Sequence, residues 1–199
     1  MKEQFLLVLL ILALNVPLSA QDIFDWSEDY ELTLADFLSP ESEVNPELTS
    51  YSVYPGASIQ FSYQMSNAEF AFKKNFNQYA TCVFDREAAA IIAPNDDLVN
   101  QLLRVAQFNF DLNELYARKF RKELFDRKKF GSSGDFFQLI WQDLQRQMSD
   151  VYASVMKQSD MGRKADVLVE KHQLVKDEIH ALADFCKSCV PPKKKKQIY

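Results

Sequence analysis

The chain has 199 residues, a formal net charge of −5 and only four glycines. Scarce glycine and plentiful charged side chains exclude fibrous and low-complexity proteins. With a predicted signal of 20 residues set aside, 199 − 20 = 179 residues remain, enough for one domain with a proper core.

The first 20 residues are typical of a secretory signal. Lys2 gives a basic start, residues 5–14 form an apolar run, and Pro17 breaks that run before Leu18-Ser19-Ala20, which offers a small residue at the cut. Ten apolar residues are too few for a membrane span, which needs about 20. We therefore predict an exported protein, periplasmic or secreted, with no transmembrane segment after signal removal.

Residues 21–57 are predicted to form an irregular, acidic N-terminal arm with short extended pieces. Residues 21–60 contain nine acidic residues and neither Lys nor Arg. Trp26 and Leu32-Thr33-Leu34 are the positions through which this arm could be anchored to the core.

Residues 58–190 are predicted to form an α+β domain that starts with a small antiparallel sheet. Polar and apolar side chains alternate from Ser58 to Met65, which is the period of a half-buried strand. Residues 68–72 and 79–84 are predicted as its partner strands.

Three helices are predicted after the strands, over residues 97–130, 135–158 and 163–187, because apolar residues recur there at helical spacing. Glycines at residues 131–134 and at Gly162 separate them. Strands followed by helices predict an α+β fold.

Positive charge is concentrated late in the chain. Residues 113–130 contain seven basic and three acidic residues, and Lys193 to Lys196 form a run in the basic tail, residues 191–199. Such runs are usually solvated surface. We predict no nucleic-acid partner, since an exported protein rarely meets one.

The chain has three cysteines, so an exported form has one free thiol or an intermolecular bridge. Cys186 could pair with Cys189, or either of them with Cys82. A redox role for Cys186-x-x-Cys189 is disfavoured, because a helix C-terminus disfavours the thiolate. A structural bridge is the favoured interpretation.

The most specific stretch of sequence is the helix from Asp97 to Lys122. It is similar to a bacterial family of exported proteins of unknown function, described as putative zinc-dependent proteases, whose helix carries a pattern close to LL-x-HEQ-x-HFD-x-x-E-x-x-AR. The matching residues are Leu102, Leu103, Gln107, Phe110, Asp111, Glu114, Ala117 and Arg118. Leu32 to Phe37 also resembles the family's LTW-x-DF opening, and Ser159 to Ile179 its closing helix. The resemblance implies a zincin-like scaffold.

The chain departs from this pattern at the residues that would hold zinc. A HExxH helix places two imidazoles on one face for the ion, with a glutamate as base. Val105, Ala106 and Asn109 occupy those positions, and Asp111 points roughly 160° around the helix from Asn109. His172 and His180, eight residues apart, are too distant to bind one ion together. The sequence thus predicts no catalytic zinc and no other cofactor.

Asp111, Glu114 and Arg118 could form a residual site, but together with Arg121 they also have a structural interpretation. Glu114 and Arg118 have the spacing and order of a helix-surface ion pair. Tyr116 and Phe120 are predicted to pack in the core.

Three hypotheses follow. The leading one is an exported, non-catalytic homologue of a zinc protease, binding an unidentified protein or peptide partner or serving a structural role. The second is an active hydrolase that uses non-standard residues, with Asn109, Asp111 and Glu114 near a persisting cleft. The third is a cell-envelope assembly protein whose acidic arm and basic tail pair between molecules or with a partner.

Overall fold

The computed structural model describes residues 22–62, 66–129, 132 and 136–192, and it confirms an α+β fold. In these ranges the strands are β1 (Ile23–Asp25), β2 (Glu43–Val44), β3 (Ser52–Tyr54), β4 (Ala57–Phe61), β5 (Ala80–Asp85) and β6 (Ala90–Ala93). The helices are α1 (Asn67–Phe72), α2 (Asp96–Arg127), α3 (Phe137–Ser159) and α4 (Ala165–Ala181).

The strands form two small sheets. The first has the order β1-β5-β4 and is antiparallel, with Phe24 opposite Phe84 and Ile59 opposite Cys82. The second has the order β2-β6-β3, in which β2 runs parallel and β3 antiparallel to β6. The acidic arm therefore does contain short extended pieces, and they pair with strands of the following domain.

The predicted strand over residues 68–72 is wrong, because α1 occupies this segment. Ser66 and Glu69 form a capping box: the Ser66 hydroxyl accepts from the Glu69 amide at 3.2 Å, and the Glu69 carboxylate accepts from the Ser66 amide at 2.8 Å. These bonds satisfy amides at the helix start, which the alternating side-chain pattern could not reveal.

The three long helices are confirmed, with ends shifted by a few residues. The last one ends earlier than predicted, and a 3-10 turn at Ala183–Phe185 follows it. Helix α2 contacts both sheets, α3 and α4. Its residues 110–118 are buried on every face.

Helix α2 contributes to both apolar clusters of the core. One lies mainly between α2, α3 and α4 and includes Tyr116 and Phe120, as predicted. The other joins α2 to the arm and the sheets and includes Leu32 and Phe84. Polar residues on the buried part of α2 consequently need partners inside the protein.

Several predictions fall on segments outside the described ranges: the signal, Gly131, Ser133, Gly134 and the lysine run of the tail. Among the residues that are described, none of the helices has the length and apolar character needed to cross a bilayer.

Candidate functional site

The positions that would hold zinc in a HExxH helix do not share a cleft. Val105 and Ala106 are both fully buried, in different apolar clusters. Val105 lies against the turn at Gly162, where an added Cβ would be 2.7 Å from Val105 Cγ2. Asn109 is half-buried, and its side-chain oxygen accepts from Asn113 Nδ2 at 3.2 Å.

These residues do not fit a zinc ion. Valine and alanine have no donor atom, and Asn109 is already hydrogen-bonded. Within the described ranges, no group of three or more His, Cys, Asp or Glu side chains is placed to hold a metal.

Asp111 lies on another face of α2 and joins three elements. Its Oδ1 accepts from Trp26 Nε1 at 2.7 Å, and its Oδ2 lies 2.6 Å from His172 Nε2 on α4. Gln107 Nε2 donates a longer bond of 3.4 Å to Oδ1. Because a carboxylate can only accept, Nε2 of His172 carries a hydrogen and Nδ1 is the ring atom left for another partner.

The arm is held against α2 by further bonds. Leu32 donates its amide to Gln107 Oε1 at 2.8 Å, which together with Trp26 confirms the two predicted anchors. Asp36 is buried and accepts from the Thr33 amide, the Tyr30 hydroxyl and Arg86. Burial alone would raise the pKa of Asp36, but these hydrogen bonds outweigh it and lower the pKa.

A cavity of about 530 Å³ opens between the arm, α2 and α4, and we call it the arm–helix cleft. Leu32, Leu103 and Leu168 give it an apolar part. The arm side is acidic and the helix side basic. The charged lining residues are Glu28, Asp29, Glu31, Arg104 and Lys176. His172 and Gln107 also line it, so the Asp111–His172 contact lies at its wall.

The predicted helix-surface pair of Glu114 and Arg118 is instead buried, together with Arg121. Glu114 Oε1 accepts from Arg118 Nε at 2.8 Å and from Arg121 Nη1 at 2.9 Å. Three further guanidinium N–H groups donate to the carbonyl oxygens of Ala80, Ile179 and Phe185. The pairing itself is confirmed, but its predicted place on the helix surface is wrong, because α4, β5 and the arm cover this face of α2, which helical periodicity alone cannot show.

Asn109, Asp111 and Glu114 therefore face three separate environments, and no single cleft collects them. Glu114 and its two arginines lie beside Trp26 and Cys186. Asp111 instead contacts His172, which lines the arm–helix cleft.

Cys186 and Cys189 form a disulfide, and Cys82 is a buried free thiol. Asn75 and Asn77 both donate to the carbonyl of Cys189, which fixes the bridged turn to the segment before β5. Burial raises the pKa of Cys82 well above its ordinary value. A buried thiol that stays protonated is a poor nucleophile. We therefore expect neither Cys82 nor the disulfide to take part in chemistry at the arm–helix cleft.

Two exposed acidic residues of the arm are paired with side chains near the C-terminal end of the described chain. His180 Nε2 lies 2.7 Å from Glu28 Oε1, and Lys187 donates to Asp25 at 2.6 Å. Both histidines thus connect the α4 helix to another element instead of converging on one ion.

Sequence reasoning missed the Asp111–His172 contact and the burial of the cluster formed by Glu114, Arg118 and Arg121. The signals available were the spacing of Gln107 and Asp111, one turn apart on α2, and an isolated Trp26 in an acidic segment. Neither signal identifies a partner 61 residues away.

Comparisons of the chain with protein-family models, curated proteins and solved structures found no match. The resemblance to putative zinc proteases therefore rests on the motif residues alone.

Proposed function

We propose that the chain is an exported binding protein without hydrolytic activity, on a zincin-like scaffold related to the putative zinc proteases. The observation that carries this proposal is the complete burial of Val105 and Ala106, where the related helix would place a zinc ligand and the catalytic base. Side chains that fill the core there leave no room for substrate.

The ligand that we propose is a peptide segment of a protein partner, bound in the arm–helix cleft. Its apolar part and its opposite acidic and basic sides can accept a chain that has both kinds of side chain. Arg104 is exposed on the helix side, and Lys176 lies on the neighbouring helix, so both can pair with an acidic residue of the peptide.

The test uses the chain from Gln21 onward, purified without a metal-binding tag. We expect no stoichiometric zinc, no chelator-sensitive cleavage of a peptide library, and retention of a subset of its peptides. Charge reversal by Arg104→Glu should abolish retention, whereas Lys157→Glu, outside the cleft, should leave it intact. Stoichiometric zinc together with chelator-sensitive cleavage would contradict the proposal.

A second candidate, a metal-independent hydrolase, is favoured by one observation: the Asp111–His172 contact at the cleft wall. Asp111 would orient the imidazole, and Nδ1 of His172 would take a proton from an attacking water. Cleavage that resists chelators and is lost in both Asp111→Ala and His172→Ala would support this candidate. Cleavage that survives in either variant would exclude it.

A further inference from the structure

A second, chemically different groove lies at the far end of α2. It has a volume of about 670 Å³ and is formed by the end of α1, the end of α2 and the segment after the disulfide. Phe125 and Pro191 contribute to its apolar surface. Phe72 and Val190 stand at its edge, 72% and 81% exposed, so they project outward instead of closing the groove.

Among the described residues that line this groove, the charged ones are all lysines: Lys73, Lys74, Lys128 and Lys129. The nearest acidic residues on α2, Glu123 and Asp126, are in ion pairs with Arg127 and Lys122. Positive charge is therefore concentrated around exposed apolar side chains.

This charge decides which kind of occupant fits. A second copy that docked through the same groove would bring the same lysines, and the chain's own tail is itself basic, so both would be repelled. An anionic partner with apolar chains fits the combination of lysines, Phe72 and Val190. That combination is typical of proteins that bind the surface of an anionic bilayer, where apolar side chains enter the acyl boundary and lysines meet the headgroups.

We propose that this groove and its lysine rim dock the protein on an anionic membrane surface. The inference is independent of the peptide-binding function, because the arm–helix cleft lies elsewhere: its residue Leu103 and the groove residue Phe125 are 22 residues apart on one continuous helix, about 33 Å.

The experiment is co-sedimentation of the chain from Gln21 onward, which contains every described element, with vesicles. We expect binding to vesicles of equal parts phosphatidylglycerol and phosphatidylcholine, none to pure phosphatidylcholine, and release at high salt. Lys74→Gln with Lys129→Gln should weaken binding roughly tenfold or more. Phe72→Ser with Val190→Ser should also weaken it, since apolar insertion is lost.

The matched control is Lys157→Gln with Lys164→Gln. It removes the same charge beside the turn at Gly162, which contacts the opposite half of α2 at Val105. Binding of this variant should equal that of the unmodified chain, and all variants should keep its circular dichroism spectrum. Equal binding to neutral vesicles, equal losses in the control, or no binding to anionic vesicles at low salt would overturn the proposal. The last result, with capture of an acidic apolar peptide, would assign the groove to a protein partner instead.

Discussion

Asp111 and His172 connect α2 to α4 through a contact of 2.6 Å between Oδ2 and Nε2. The carboxylate is almost fully buried, and its other oxygen accepts from the indole of Trp26. One side chain therefore fixes the arm and the last long helix relative to the central helix. The wall of the arm–helix cleft depends on this arrangement.

Asp111→Asn tests this role. The variant keeps the side-chain shape but removes the charge that receives both bonds. We expect it to lower the free energy of unfolding by about 1.5–3 kcal/mol, the usual range for bonds to a charged group. Urea denaturation measures the change. An Asn variant as stable as the parent would contradict the assignment.

Glu114→Gln should lower the free energy of unfolding far more than Glu123→Gln, a matching substitution at a partly exposed ion pair. The substitution leaves Arg118 and Arg121 buried without a neutralising charge, and Arg121 is only 1% exposed. Breaking such a buried cluster costs about 3–5 kcal/mol. The control is Glu123→Gln, which breaks a partly exposed pair with Arg127 and should cost less than about 1 kcal/mol. Equal losses of unfolding free energy, measured by urea denaturation, would contradict a larger stabilising contribution from the buried cluster.

Gly162→Ala should be destabilising for two separate reasons. Gly162 has φ +81°, and an added Cβ would lie 2.7 Å from Val105 Cγ2. Together the strain and the overpacking should cost about 2–4 kcal/mol. Adding Val105→Ala relieves only the clash, so the double variant should lose less stability than the two single losses predict. Strict additivity in thermal unfolding would refute the contact between these residues.

The stability of the protein should depend on Asp36 at acid pH. Its pKa is lowered in the folded state, so its contribution is present above the unfolded carboxyl pKa and is lost as pH falls through the folded value. Asp36→Asn should therefore be less stable than the parent at neutral pH, and the difference should shrink below about pH 4. Unfolding free energies across pH measure this, and a difference independent of pH would contradict it.

The sequence by itself determined the elements that depend on local pattern. Apolar residues at helical spacing located α2, α3 and α4, and alternation located β4, because each signal is contained in one short window. That Val105, Ala106 and Asn109 stand where a HExxH motif would have its two histidines and its glutamate is likewise read from the sequence alone.

Only the tertiary structure decided what surrounds those elements. Whether Glu114 and Arg118 are solvated or buried depends on α4, β5 and the arm covering α2, and no window of sequence contains those contacts. The Asp111–His172 contact spans 61 residues, and the cysteine pairing was one of several that the spacing allowed. Local periodicity sets the conformation of a segment, whereas burial and partnership are set by packing between segments that are distant in the chain.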